Sequence, residues 1–346
     1  MERGALKLGP IIIGAIIIAA GALIGYYALA PGSRSDAELI PVTYSHLARV
    51  DFTGALPAIV AEEKGFWEEE GLDVSLVWFR GGGEQMRAVA AGEIEISTST
   101  PNMITTLVSR GEGVRVISSI SSPVPRSWGI MVLNDSPLED VDDLRGKIIG
   151  ATTKGAYSDM IVRLLLLEAG IDPDDAVRLT YLGSPDALAA ALSSGTVDAA
   201  IGWPGLAEVM ELELGARQLV SAADFLLEWE DEIWFATEDL IDQNPEVIGK
   251  VLRGWYKAVE WMKENRAEVI EISMEQYQWS EELATKVYDS NITFLSDDGS
   301  FSIKALDLAS AKTFELELSE FRVPVEDLFI ESFVPVQLNE IGVALQ

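Results

Sequence analysis

From Leu39 onward, short β-branched runs alternate with stretches in which apolar residues return every three or four positions. That is the pattern of a largely parallel sheet whose strands are joined by helices. IPVTYS (40–45) predicts a first strand and GALPAIVAEEKGFW (54–67) its helix, with further strands at LDVSLVWF (72–79), EIEISTS (93–99) and VRVISSIS (114–121). After LEDVDDLRGKIIGA (138–151) a second series predicts strands near 148–151, 177–182 and 197–202, and helices over 155–169, 185–194 and 204–214. Beyond residue 236 the pattern turns mostly helical: Val247, Val251, Trp255, Val259 and Met262 fall on one face at helical spacing.

Two segments mirror each other. GGGEQMRAVAAGEIEISTSTPN (81–102) and SPDALAAALSSGTVDAAIGWPG (184–205) share the order loop, small-residue helix, glycine, short strand, loop, proline. Setting Gly92 on Gly195 places Glu95 on Asp198, Pro101 on Pro204 and Asn102 on Gly205 without a gap. Any two βαβ units share some of this; two facing lobes would share all of it. In either case the loops STSTPN and GWPG follow the carboxyl ends of parallel strands, where open α/β sheets bind ligands.

The first thirty residues change the picture from soluble body to exported body. Arg3 and Lys7 precede an apolar run from Ile11 to Ala30, long enough at ~1.5 Å per residue to span a bilayer core. The cationic flank predicts a cytoplasmic N-terminus. Ala28 and Ala30 form a small-residue cleavage pattern, but Pro31 follows and disfavours it. An uncleaved anchor (1–30) with a polar tether (31–38) is therefore favoured over a removed signal peptide. The body is expected at the outer face of the cytoplasmic membrane, or secreted if cut after Ala30.

Charge and cysteine content narrow the function classes. Hydrophobic residues make up 48% and charged residues 23% of 346, which fits a folded body. The 25 basic and 56 acidic side chains leave a net charge of −31. Nucleic acid, which needs a basic surface, is excluded as a partner. There is no cysteine, so disulfides, thiolate metal sites and a catalytic thiol are excluded. His46 is the only histidine; alone it predicts a pocket-edge or surface residue, and no metal or cofactor is expected. There is no Gly-x-Ser-x-Gly elbow, and nothing speaks for catalysis.

GFWEEEGLDVSL (65–76), AAGEIEIS (90–97), DLRGKIIGATTKGAYSD (143–159), GTVDAAIGWP (195–204) and NPEVIGKVLRGWYKAVEWMKEN (244–265) follow one another at fitting separations. Together they resemble the nitrate/sulfonate/taurine and thiamine-precursor class of substrate-binding proteins of ABC importers, over roughly residues 40–320. The resemblance implies an α/β, two-lobed type II periplasmic-binding-protein fold with a central cleft, here with an N-terminal transmembrane helix added. Lobe one would hold 39–125 and 225–346, lobe two 126–224, with crossings at 121–129 and near 222–236. It also implies an ABC permease as partner, and a monomer is expected. The lipobox cysteine of such receptors is missing, and the apolar anchor can replace it.

ATTKGAYSDMIVRLLLLEAG (151–170) is the sharpest local signal. Thr152, Thr153, Lys154 and Gly155 stand at the mouth of a predicted helix, where free N–H groups, the macrodipole and a lysine suit an anion. Helix capping by Thr153 with a solvated Lys154 fits the same residues. Across the cleft, Ser45, Asp51 and Phe52 flank the first strand and helix, and Gly82 and Gly83 permit close backbone approach. Ser99, Thr100 and Asn102 follow the third strand. Trp203 would wall the pocket from lobe two, with Trp128 and Trp229 less strongly indicated, and Glu228, Glu230 and Asp231 read as a solvated acidic turn. The expected function is capture of a small polar or anionic solute of the sulfonate, taurine or nitrate class by hinge closure. A pyrimidine-type thiamine precursor is the alternative ligand, and an enzyme akin to the thiamine-pyrimidine synthases a more distant one.

Overall fold

A computed structural model describes residues 39–226 and 228–336. The anchor and tether (1–38) lie outside the described residues. Among the described residues no helix is long and apolar enough to cross a membrane.

Two strand layers share one plan, the first a two-stranded and a three-stranded sheet side by side and the second a single five-stranded sheet. In the first, β1 (Ile40–His46) pairs in parallel with β2 (Leu72–Trp78), Tyr44 opposite Leu76. β10 (Glu232–Thr237) lies antiparallel between β3 (Ile96–Ser99) and β4 (Val114–Ser121). Side chains close the seam between β1 and β3: Ser45 Oγ lies 2.7 Å from Ser97 Oγ, and Tyr44 OH 2.9 Å from Thr98 Oγ1. The second sheet runs β7 (Arg178–Tyr181), β6 (Ile148–Ala151), β8 (Ala199–Gly202), β5 (Gly129–Leu133), β9 (Ala216–Ser221). Here β5 is the antiparallel member, between β8 and β9. Each antiparallel strand is the first one formed after the chain passes from one sheet to the other.

The mirrored segments take up equivalent structure. Helix α3 (Gly82–Ala90) and strand β3 match helix α6 (Pro185–Ser193) and strand β8 residue for residue, at the offset that sets Gly92 on Gly195. Both glycines are left-handed, with φ of 72° and 71°, which lets the chain leave its helix and turn into the next strand. Elsewhere the pattern reads too long. The helix expected over 54–67 is two, α1 (Ala55–Glu63) and α2 (Phe66–Glu69), because Gly65 between them adopts φ 74°.

Separate cores underlie the two sheets. The first gathers Tyr44, Trp67, Trp234 and Trp255; the second gathers Trp128, Tyr157, Trp203 and Trp229. A smaller cluster with Ile94, Ile104 and Phe235 extends the first sheet. The last long helix, Ile303–Glu315, packs on α4 (Pro101–Ser109) and buries Ala309 in the second core.

Helix α9 (Pro245–Glu264; α7 and α8 are Leu206–Leu214 and Glu238–Gln243) buries Val251, Trp255, Val259 and Met262, as its period requires, and leaves Val247 half-buried. Gly254 on this helix faces Trp67: a Cβ there would stand 2.2 Å from the indole Cδ1. Alanine is the better helix former by about 1 kcal/mol, but overpacking a core costs about 1–3 kcal/mol. The steric term wins. Gly254→Ala should therefore lower the urea midpoint, and a stabilised variant would refute this packing argument.

Candidate functional site

The strand-end loops of the two sheets meet. Phe52 N–H donates to Pro204 O at 3.2 Å, Trp203 Nε1 to Val50 O at 3.2 Å, and Asn102 Nδ2 to Gly155 O at 3.4 Å. Between the loops lies a cavity of about 40 Å³ whose lining includes His46, Asp51, Gly82, Met103, Trp128, Thr152, Tyr157, Trp203 and Glu232. That volume holds little more than a water or two, far less than the ~300 Å³ or more of an ordinary small-molecule pocket. An organic guest therefore requires the lobes to part.

One end of the cavity is polar and buried. His46, at the end of β1, is 1% exposed; Asp51 precedes α1, and Glu232 opens β10. His46 Nε2 lies 3.6 Å from Asp51 Oδ1 and 3.6 Å from Glu232 Oε1, outside hydrogen-bond range of both, and has no hydrogen-bond partner among the described residues. Its Nδ1 lies 2.8 Å from Thr98 Oγ1. Gly54 N–H and Thr53 Oγ1 donate to Asp51 Oδ1 at 2.7 and 3.0 Å, and Thr53 Oγ1 also lies 3.0 Å from Glu232 Oε2. Gly54 is a space requirement: a Cβ there would overlap the imidazole. Burial, with Asp51 and Asp231 nearby, holds the Glu232 carboxyl well above its ordinary range.

The other walls are aromatic. Trp128 and Trp203 lie 5.8 Å apart between ring centroids, and Trp128 meets Tyr157 edge-on at 4.8 Å. Trp128 Nε1 is a buried donor without a partner among the described residues. Tyr157 OH donates to Asp231 Oδ1 at 3.0 Å and accepts from Trp229 Nε1 at 2.9 Å.

The expected site residues divide into three groups. Asp51, Gly82, Thr152 and Trp203 line the cavity. Gly83, Thr153, Lys154 and Gly155 instead line a separate groove of about 390 Å³, with Arg87 and Arg110. Ser45, Phe52, Ser99, Thr100 and Asn102 line neither. Ser45 joins β1 to β3, Phe52 packs edge-on against Tyr288, and Thr100 Oγ1 donates to Asn102 Oδ1 at 2.8 Å. Ser99 Oγ contacts Met103 Sδ at 3.8 Å. Asn102 bridges the two loops.

The helix mouth at 152–155 departs from the anion reading. Gly155 N–H donates to Asp159 Oδ2 at 2.8 Å and Thr152 N–H to Ser158 Oγ at 3.1 Å, so the chain's own side chains take these donors. Asp159 is fully buried and held at 3.0 Å by Arg163, which places a carboxylate where an anion would go. Glu230 and Asp231 are also corrected: they are not a solvated turn but are buried, at 1% and 0% exposure. Ser119 Oγ donates to Glu230 at 2.6 Å and Ser121 Oγ to Asp231 at 2.9 Å. Burial pushes Asp231 up to about 8. Glu228 alone of that run is exposed, paired with Lys304. The sequence reading missed Glu232, Tyr157 and Met103 and undervalued His46. A solitary histidine gave no hint that Asp51, five residues on, and Glu232, from a remote part of the chain, would both stand beside it.

Glu208 on α7, 3% exposed, links this face to the rest: it accepts from Gly205 N–H (2.8 Å), Ser127 Oγ and Asn291 Nδ2 (3.0 Å). Burial raises its pKa despite these donors. A carboxyl raised on folding contributes most below its unfolded value, about 4.3, and that contribution is lost as pH rises through the folded value. Thermal melts from pH 4.5 to 8 should show a decline with pH that is shallower in Glu208→Gln; an equal slope in both proteins would refute the assignment. Tyr157→Phe strands Trp229 Nε1 and removes a donor from Asp231. It should cost about 1–3 kcal/mol in denaturant unfolding, and a neutral result would mean water replaces both bonds.

Residues 53–269 match the family described as NMT1/THI5 like. A Bacillus subtilis (strain 168) protein named for binding aliphatic sulfonates is 25% identical over 295 residues, covering 82% of this chain and 85% of that one. The 4-amino-5-hydroxymethyl-2-methylpyrimidine phosphate synthase THI13 of Saccharomyces cerevisiae is 25% identical over 222 residues, 60% of this chain and 63% of that one. Among solved structures, the periplasmic aliphatic sulphonate binding protein SsuA from Escherichia coli superposes with a TM-score of 0.72 at 20% identity, covering 90% of this chain and 97% of that one. With more than half of its length matched, the chain belongs to the NMT1/THI5-like family and has the two-lobed α/β fold of periplasmic binding proteins.

Proposed function

We propose that this protein is the extracytoplasmic receptor of an ABC importer and closes its lobes on a flat, nitrogen-bearing guest of the aminopyrimidine, thiamine-precursor kind. The observation that carries the reading is the composition of the cavity: two buried carboxylates, Asp51 and Glu232, face an indole wall. A free sulfonate or nitrate would meet those carboxylates, and the lining supplies Arg80 but not Lys154. An aminopyrimidine offers N–H donors to the carboxylates, a ring nitrogen to the unpartnered Trp128 Nε1, and a π-face to Trp128 and Trp203. Kinship with a sulfonate-binding protein and with a pyrimidine synthase leaves both ligand classes within the family's reach, and the charge of the cavity favours the second.

Guest binding favours the shut state because groups from both lobes are satisfied together only when the lobes meet around it. Catalysis is not part of the reading; the protein binds and delivers. Calorimetry of the chelator-treated protein should give heat with 4-aminopyrimidines and none with alkanesulfonates, taurine or nitrate. Asp51→Asn should weaken that binding at least tenfold, about 1.4 kcal/mol. Heat from the sulfonates alone would overturn the ligand class, and turnover of a bound pyrimidine would overturn the receptor reading.

A further inference from the structure

The triad at the polar end of the cavity has features that no organic guest is needed to explain. The donor atoms of His46, Asp51 and Glu232 lie within 4.8 Å of one another, and all three residues are buried. His46 Nε2 stands 3.6 Å from each carboxylate and bonds to neither. An ion held at about 2.0–2.2 Å by nitrogen and oxygen ligands sets neighbouring donors roughly 3.4 Å apart in a tetrahedral site. The observed spacing is close to that and too long for direct hydrogen bonds.

The surroundings are arranged as a metal's ligands require. With Nδ1 donating to Thr98 Oγ1, the tautomer a metal ligand adopts, Nε2 would present its lone pair towards the carboxylates. Thr53 and Gly54 hold Asp51, and Thr53 also reaches Glu232, so each ligand is oriented by a neighbour. Two carboxylates beside one imidazole leave up to two negative charges in a dry pocket, and a dication neutralises them. The cavity of about 40 Å³ accommodates an ion and a water in the shut conformation.

We infer that His46, Asp51 and Glu232 form a site for a divalent first-row transition-metal ion, with a fourth position open to the cavity. One nitrogen and two oxygen donors select manganese, iron, cobalt or zinc over magnesium and calcium, which take oxygen ligands in larger number. The inference goes beyond the receptor reading and rests on the triad alone. A heterocyclic nitrogen of the guest would complete the fourth position.

The test uses the full chain, stripped with a chelator and titrated with Co²⁺, followed by visible absorption, elemental analysis and thermal melting. One ion per chain, with a raised melting temperature and competition by Zn²⁺, is expected. Glu232→Gln and His46→Gln should each weaken binding at least tenfold, whereas Trp203→Phe should not. Should Glu232→Gln fail to fold by circular dichroism, Asp51→Asn serves in its place. Absence of saturable 1:1 binding, or binding unchanged in the triad variants, would overturn the site. Repeating the aminopyrimidine titration with and without Co²⁺ separates the two ideas. Guest binding without any cobalt site sinks only the metal, and a cobalt site without guest binding sinks only the ligand class.

Discussion

The returning strand β10 is the element on which the cleft depends. It lies between β3 and β4, and its first residue Glu232 and the two that lead into it, Glu230 and Asp231, are all buried. Burying three adjacent acidic side chains is costly unless each finds donors. Ser119 and Ser121 of β4, Ser302 N–H, Tyr157 and Thr53 supply them. Tyr157 belongs to the second core and Ser121 to the first sheet, so Asp231 is bonded from both sides of the crossing. The position of Glu232 in the cavity follows from this stitching.

Electrostatics gives the cleft a character that overall charge does not. A chain with 25 cations among 346 residues places its exposed Arg87, Arg110 and Lys154 along one groove, while among the described residues Arg80 alone of its arginines and lysines joins the carboxylates and indoles that line the cavity. The net charge of −31 speaks of the surface. The character of the cavity is set by the few acids that are buried, Asp51 and Glu232.

Much of this was legible in the chain. The helical period through Val251, Trp255, Val259 and Met262 marked a buried face, and the Gly92/Gly195 alignment marked equivalent helices and strands. Asp51 and Trp203 could be named as cleft residues because they follow the ends of predicted strands. Three things were out of reach. The helix mouth at Thr152–Gly155 looks receptive until Asp159, one turn on, is seen folding back onto Gly155. Whether an acidic run is wet or dry depends on which strand lies beside it, and the serines of β4 come from more than a hundred residues earlier. His46 and Asp51 are near in the chain, but the arrival of Glu232 beside them is a product of tertiary closure that no local spacing encodes.

The loop-to-loop bonds carry a last consequence for opening. Phe52 to Pro204, Trp203 to Val50 and Asn102 to Gly155 are made by the protein with itself. One runs backbone to backbone and two are donated by side chains, so the loops hold one another through contacts internal to the chain. Any motion that parts these loops has to release all three bonds, and its free-energy cost includes theirs.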